Sequence, residues 1–360
     1  MNRPAMTAIG ISLLALTSTP PRAADGDWTD RIDFKGDLRL RYERIDEEFE
    51  EDRNRMRFRA RFGFSADVQD NVKVIVRLAT GGDDPVSTNQ TFDDGFSSKD
   101  ISLDLAYVDW TVNDALSVSA GKIKTPFFNA GKVPLAWDGD LNLEGIAASY
   151  RSGPLFATAG GFSVEERSSA DDSLLYVLQG GTKFTLGDTT KLTTGVGYSK
   201  YSNTIGAEPF YDGSAKGNTV DAGGNYVFDY ENVEFFAQMD TKVNDWALQV
   251  FAHYTRNTEV SREDTAYAFG AKLGSAKSEG DMEFALIYGV TEADAIIATY
   301  NDSDFGGGGT DNDGFLLKAK YGLSDKIFLA GTFMQNDTDA FQGIEHDYNR
   351  LQLDIEFKFD

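Results

Sequence analysis

The chain has 360 residues, of which 58 are acidic and 34 basic, so its formal net charge is −24 at pH 7. So acidic a chain argues against nucleic acid as a partner. It contains no cysteine, which excludes thiolate metal sites and a disulfide framework.

The first 24 residues have the features of a secretory signal peptide. Arg3 supplies a positive start, residues 5–19 supply a short apolar run, and Ala23 and Ala24 offer a cleavage point. We therefore predict a signal peptide over 1–24 and a single domain over 25–360. No other stretch approaches the roughly 20 apolar residues that a membrane-spanning helix needs, so any membrane residence must be through strands.

Apolar and polar residues begin to alternate, with a period of two, near Ile32, and this alternation is clearest in the second predicted strand. There the apolar positions are Met56, Phe58, Ala60, Phe62 and Phe64, and the positions between them are Arg55, Arg57, Arg59, Arg61 and Gly63. A strand places these two sets on opposite faces. A soluble sheet would rarely carry four like charges on one face, because neighbours on that face repel one another. A membrane barrel accommodates both faces, one in lipid and one in a wet lumen.

Similar segments of about ten residues continue to the end of the chain. In the strand predicted for about 100–112, the apolar phase shifts from Leu103, Leu105 and Tyr107 to Val108 and Trp110, which indicates a β-bulge. Aromatic residues near strand ends are expected to form girdles at the membrane interfaces. The candidates are Tyr42, Tyr107, Tyr254 and Tyr321.

The pattern yields sixteen strands, and their connections alternate between long and short. Long polar stretches include 81–99, 123–142, 202–228 and 291–312, whereas tight turns include Asn113-Asp114, Gly187-Asp188 and Asn244-Asp245. This asymmetry is typical of an outer-membrane barrel with short periplasmic turns and long extracellular loops. We predict an all-β, antiparallel transmembrane barrel of about sixteen strands, a size that leaves an aqueous channel.

Several segments resemble the “Putative porin” family of Gram-negative outer-membrane barrels. They are residues 77–90 (RLATGGDDPVSTNQ), 106–110 (AYVDW), 121–127 (GKIKTPF), 136–145 (AWDGDLNLEG) and 301–306 (NDSDFG). The GK…PF element also resembles phosphate-selective porins.

The resemblance implies passive diffusion of small hydrophilic solutes across the outer membrane, with no cofactor. The expected surroundings are outer-membrane lipid and lipopolysaccharide, and likeness to general porins adds a possible homotrimer.

Eight basic residues are expected to line one wall of the lumen. They are Arg39, Arg41, Arg55, Arg57, Arg59, Arg61, Lys73 and Arg77. Such a wall attracts anions and sets a field across the pore. The alternative is that neighbours neutralise it, because closure of the barrel would pair the last strand with the first and bring Asp354 and Glu356 near Arg39 and Arg41.

The segment 123–142 follows the fifth predicted strand. In general porins of this size the corresponding loop folds into the channel and narrows it. On that resemblance, Asp138, Asp140 and Glu144 are candidate constriction acids that face the basic wall. The alternative is an ordinary surface loop with Phe127 and Trp137 packed at the rim.

The acidic loop from Asp302 to Asp313 is rich in hard oxygen ligands but lacks the closing glutamate of an EF-hand, so a solvated loop is favoured over a calcium site. His253 falls on the inward phase of its strand, and no serine is singled out as its catalytic partner. We therefore predict a porin without enzymatic activity. The second hypothesis is a non-channel structural or adhesion barrel whose long loops bind a partner, and a hydrolase ranks third.

Overall fold

The computed structural model describes residues 31–133, 137–340 and 343–359. The signal peptide predicted for residues 1–24 lies outside the described residues, as do the first residues of the predicted barrel domain. Within the described part of the chain, no helix is long and apolar enough to cross a membrane.

The described residues form sixteen long strands and one two-residue strand, β4. The longest strand, β2, has 17 residues, and β3 and β6 have 9 each. The strands are β1 (Ile32–Glu47), β2 (Arg53–Gln69), β3 (Val72–Thr80), β4 (Gln90–Thr91), β5 (Ile101–Thr111), β6 (Leu116–Lys124), β7 (Asn142–Ser152), β8 (Leu155–Glu165), β9 (Ser173–Leu186), β10 (Thr190–Tyr201), β11 (Glu231–Val243), β12 (Trp246–Asn257), β13 (Thr265–Gly274), β14 (Met282–Thr291), β15 (Asn312–Gly322), β16 (Ile327–Thr338) and β17 (His346–Phe359).

The long strands close into a barrel in which every pairing is antiparallel. Successive long strands pair with each other, and β17 returns to pair with β1 from Gly36↔Phe359 to Glu47↔Tyr348. The short strand β4 only extends the edge of β2, at Arg57↔Thr91 and Phe58↔Gln90. The prediction of a sixteen-stranded antiparallel barrel is therefore confirmed.

The two ends of the barrel differ in the length of their connections. One end carries both described chain ends and the short turns, such as 70–71, 153–154 and 244–245. The other end carries the long connections 81–100, 125–141, 202–230 and 292–311. This asymmetry, also predicted from the sequence, identifies the long-loop end as the extracellular one.

Alternate residues of each strand separate an apolar outer face from a filled interior. Phe269 and Leu353 are each about half exposed (52% and 49%), which is expected of side chains that meet lipid. The interior positions Glu43 and His253 are buried, and His253 has the inward orientation predicted for it. A second interior region is apolar, where loop residues such as Phe127 and Ile297 pack against Leu175 of β9.

The β-bulge predicted in this strand is present in β5, but it lies closer to the start of the strand than predicted, which corrects the placement of Tyr107. The pairing with β3 runs Arg77↔Leu105 and then Leu78↔Leu103, so Asp104 is an extra residue that reverses the phase of the strand. Leu105 is consequently buried. Tyr107 packs against the interior apolar cluster, so its assignment to a membrane-interface girdle was wrong.

A charge on the outer face should destabilise the barrel. We expect Leu353→Arg to lower the free energy of unfolding by about 2–4 kcal/mol, because Leu353 lies midway along β17 on the lipid-facing side. Urea titration in lipid vesicles, followed by tryptophan fluorescence, measures this loss. Ile344→Arg, at an exposed position outside the strands, is the control and should cost little. Equal losses for the two variants would contradict the assignment of the outer face.

Candidate functional site

The inward faces of β1 and β2 form a charged wall with a regular order. Its four cross-strand rows are Asp37 with Arg61, Arg39 with Arg59, Arg41 with Arg57, and Glu43 with Arg55. Two rows that pair acid with base thus bracket two rows that place arginine opposite arginine. Because like charges directly opposite each other are destabilising, the two central rows need carboxylates from elsewhere.

The acids of the outer rows each hold two guanidinium groups. The Asp37 carboxylate lies 2.9 Å from Nη2 of Arg59 and 2.9 Å from Nε of Arg61. Glu43 is fully buried and accepts hydrogen bonds from Arg55 and from Arg350 of β17. Each of these acids is therefore shared by two arginines, so Asp37 and Glu43 alone do not neutralise the wall.

Closure of the barrel supplies a carboxylate to one central row. Asp354 of β17 lies opposite Arg41 and accepts two hydrogen bonds from it, at 2.7 and 2.9 Å. This is the contact expected when the last strand pairs with the first. Glu356 lies opposite Arg39 in the same register, but its carboxylate pairs instead with Lys320 of β15, at 2.5 Å.

The described residues of the connection 125–141 run across the lumen. The Phe128 N–H donates to Oε1 of Gln179 on β9 (2.7 Å), and the Gly131 N–H donates to Oε1 of Gln238 on β11 (2.9 Å). Gly131 has a positive φ of 63° and lies so close to the Phe251 ring that a Cβ atom there would overlap it. The loop thus reaches from β6 to the wall formed by β9, β11 and β12, so it narrows the interior.

Asp140, at the end of this loop, meets the arginine wall. Its Oδ1 lies 3.4 Å from Nη1 of Arg61 and 3.9 Å from Nη1 of Arg59, and its Oδ2 accepts from the Thr88 hydroxyl at 2.9 Å. Burial alone would raise the pKa of Asp140, but the two arginines outweigh burial and lower that pKa below its ordinary value. Asp140 is therefore an ionised group opposite the basic wall.

Asp138 has a different role from Asp140, although both were predicted as constriction acids. It is buried, and its carboxyl accepts hydrogen bonds from the backbone N–H groups of Asp140 (2.6 Å) and Ser303 (3.1 Å). Burial, together with the neighbouring carboxylate of Asp302, raises the pKa of Asp138 to about 9. Asp138 therefore keeps its proton at neutral pH and ties two loops together.

Three other predicted residues lie apart from the central cluster. Glu144 is in β7, in the same phase as exposed Ile146, and pairs with Lys122 of β6 at 2.7 Å. Lys73 is exposed beside the short turn 70–71 and pairs with Asp67. Arg77 pairs with Asp104, the extra residue of the β5 bulge.

The connection 292–311 supplies a carboxylate that the sequence analysis missed. Asp304 lies 3.0 Å from Nη1 of Arg41 and 2.6 Å from Nη2 of Arg350, and accepts from Gln352 at 2.9 Å. Burial would raise the pKa of Asp304, but Arg350 and Arg41 lower it instead. The prediction of a solvated loop was wrong for this segment, because the wall draws the Asp304 carboxylate inward.

Three connections from the long-loop end meet at the wall. The Ser303 hydroxyl donates to the Val86 carbonyl (3.0 Å), which ties the loop 292–311 to the loop 81–100, and Asp138 ties it to the loop 125–141. Cavities lie on both sides of this junction. One, of about 980 Å³, is lined by acids that include Asp83, Asp84, Glu165 and Glu166. The other, of about 500 Å³, is lined by the bases Arg53, Arg55, Lys216 and Arg350 together with the acids Glu47 and Asp339.

A closed sixteen-stranded barrel with an apolar outer face, a charged interior and a loop folded across its lumen is the architecture of an outer-membrane porin. The family comparison agrees: the model for “Putative porin” matches residues 45–222 and 219–359. The chain belongs to this family and is an outer-membrane porin. Family and fold both indicate a channel rather than an enzyme. No curated protein sequence gave a significant match.

Solved structures show the same fold at low sequence identity. The OprB structure of Pseudomonas putida, determined at high pH, has 12% identity and a TM-score of 0.64 over 92% of this chain and 95% of that chain. A triple mutant of the Rhodopseudomonas blastica porin has 12% identity and a TM-score of 0.54 over 91% and 100%. Vibrio cholerae OmpT lacking loop L8 has 14% identity and a TM-score of 0.51 over 91% and 99%.

The buried carboxyl of Asp138 predicts a pH dependence. Its pKa in the folded protein, about 9, exceeds the ordinary value of 3.8, so the folded state binds a proton over a pH range in which the unfolded chain does not. Stability should therefore fall as pH rises from about 4 to about 9. Asp138→Asn replaces the protonated acid with a neutral amide and should flatten this fall.

Melting temperatures of both proteins in detergent, recorded from pH 5 to pH 10, measure the effect. Glu51→Gln, in the exposed connection 48–52, is the control and should follow the wild type. Parallel curves for wild type and Asp138→Asn would show that Asp138 is not a buried protonated acid.

Proposed function

We propose that small hydrophilic solutes cross the barrel by passive diffusion between the arginine wall and the loops that face it, with a preference for anions. The supporting observation is a count of charges within this cluster. Its seven arginines are Arg39, Arg41, Arg55, Arg57, Arg59, Arg61 and Arg350. Among the described residues, the five carboxylates within 4.0 Å of them are those of Asp37, Glu43, Asp140, Asp304 and Asp354. The cluster therefore has an excess of two positive charges.

The position of this excess decides its effect on selectivity. Although the whole chain is strongly acidic, much of the acid lies in the loops at the outer end, as in the cavity lined by Asp83 and Asp84. Charges in water are screened beyond about 10 Å at ordinary ionic strength, so acids at the mouth act weakly on an ion at the wall. A narrow passage with low-dielectric walls responds most strongly to its own charges, here arginine.

The proposal also covers export of the chain, its contact with lipopolysaccharide and its oligomeric state. Residues 1–24 would direct export across the inner membrane, and the acidic outer loops would bridge to lipopolysaccharide through divalent cations. A homotrimer is proposed on the likeness to general porins alone.

Selectivity should depend on the central arginines. Arg57→Gln and Arg59→Gln should each lower the ratio of chloride to potassium permeability by about two- to fivefold, because a unit charge about 4 Å away in a watery environment contributes roughly 1 kcal/mol. The measurement is the reversal potential of the protein in planar bilayers under a potassium chloride gradient. The wild type is expected to favour chloride.

Arg44→Gln is the matched control, since Arg44 is an exposed arginine of β1 that pairs with Asp46 and Asp52 outside the wall. If all three variants keep the reversal potential of the wild type, the wall does not set selectivity. A wild-type protein that never conducts would instead favour the second hypothesis, a closed structural or adhesion barrel.

A further inference from the structure

The acidic cavity of about 980 Å³ lies at the long-loop end of the barrel. Its lining comes from the outer ends of β3, β5, β7 and β8 and from the connections 81–100 and 202–230, among other segments. Among the described residues, seven carboxylates line this cavity but only one basic residue, Lys122. A space with such a lining attracts cations.

Three of the seven carboxylates are each held by a base. The pairs are Asp104 with Arg77, Asp140 with Arg61, and Glu144 with Lys122. The other four have no base within 4.0 Å in the described part of the chain, and we call them the four unpaired carboxylates: Asp83, Asp84, Glu165 and Glu166. Asp83 also accepts a hydrogen bond from the Tyr211 hydroxyl at 3.0 Å, but a neutral hydroxyl leaves the negative charge uncompensated.

Two tyrosine hydroxyl groups of the same cavity also lack a partner. Tyr201, at the end of β10, is only 4% exposed and stacks on Tyr300 with 6.3 Å between the ring centroids. Both residues line the cavity, and neither hydroxyl has a hydrogen-bond partner among the described residues. Burial, together with the nearby acids Glu165 and Glu144, raises the pKa of Tyr300. A buried hydroxyl without a partner costs free energy, so the cavity is suited to a ligand that supplies hydrogen bonds.

The distribution of the four unpaired carboxylates favours an organic cation over a metal ion. Two of them belong to the connection 81–100, and the other two lie at the end of β8 and directly after it. In the part of the chain that the structure describes, no three acids or histidines are grouped so that they could hold one metal ion. A flexible ligand with an ammonium group at each end can reach two separate pairs of acids. Its N–H groups can also donate to tyrosine oxygens.

We propose that the acidic cavity binds a short aliphatic diamine, such as 1,4-diaminobutane, in its doubly protonated form. One ammonium group pairs with Asp83 and Asp84, and the other pairs with Glu165 and Glu166. The methylene groups lie against apolar side chains of the lining, and the Tyr201 hydroxyl accepts a hydrogen bond. This inference goes beyond the proposed function and does not require that the barrel conducts.

Thermal stability of the intact protein in detergent tests the site. At constant ionic strength, replacing sodium chloride with the dihydrochloride of 1,4-diaminobutane should raise the melting temperature of the wild type along a saturable curve. Two matched probes separate the features of the ligand. Magnesium chloride has the same double charge without N–H donors, and 1,4-butanediol has the same carbon chain without charge. Both should stabilise the protein much less than the diamine.

Substitutions in the lining should weaken this response. Glu165→Gln combined with Glu166→Gln should weaken the apparent diamine affinity about tenfold, because it removes the acids of one ammonium group. Tyr201→Phe should weaken it about fivefold. Without diamine, Tyr201→Phe should melt no lower than the wild type, because the lost hydroxyl has no partner in the protein. The control is Glu50→Gln combined with Glu51→Gln, two exposed acids at the same end of the barrel, which should respond as the wild type does.

Identical diamine responses in all four proteins would overturn the site, because they would report only a general effect of cations. Equal stabilisation by magnesium and by the diamine would overturn the assignment of an ammonium ligand. If a variant does not refold, the comparison of the three probes on the wild type still decides, and no greater effect of the diamine would refute the proposal.

Discussion

The structure depends on the carboxylates that compensate the charge of two rows in which arginine lies opposite arginine. The strands β1 and β2 alone cannot neutralise Arg39, Arg41, Arg57 and Arg59, because the four rows contain six arginines and only two acids, Asp37 and Glu43. The carboxylates come from three distant segments: Asp354 from the closing strand, Asp140 from the loop 125–141 and Asp304 from the loop 292–311. Charge compensation thus draws two long loops into the lumen.

Along the solute path that we propose, this arrangement separates the charges of the chain. The acidic surplus lies in outer loops and in the cavity that contains Asp83 and Asp84, whereas the positive surplus lies at the wall beneath. Between them, the protonated carboxyl of Asp138 joins the loops without adding a charge. On the proposed function, a chain with a net charge of −24 therefore presents a basic surface at the narrow part of its barrel.

The barrel itself was predictable because strand alternation and turn chemistry are local. The contact of Asp354 with Arg41 also followed, since closure fixes the register of the last strand against the first. Arg350 lies two residues before Gln352 and points inward like it. The same alternation, followed further back along β17, would therefore have placed Arg350 in the lumen. Tyr107 was misplaced because the predicted bulge of β5 lies at Asp104, so the phase reverses before Tyr107 and not after it.

The loops were less predictable, because their conformations depend on partners far away in sequence. Nothing near Asp304 in the sequence indicates that its carboxylate contacts the guanidinium groups of Arg41 and Arg350. The most direct test is to place a reactive group at the wall, using Asn89→Cys in a chain that otherwise lacks cysteine. In planar bilayers, a small anionic thiol reagent should modify this cysteine faster than a cationic reagent of equal size and should reduce the current. Full modification without a change in current, or faster reaction with the cation, would contradict a basic constriction on the solute path.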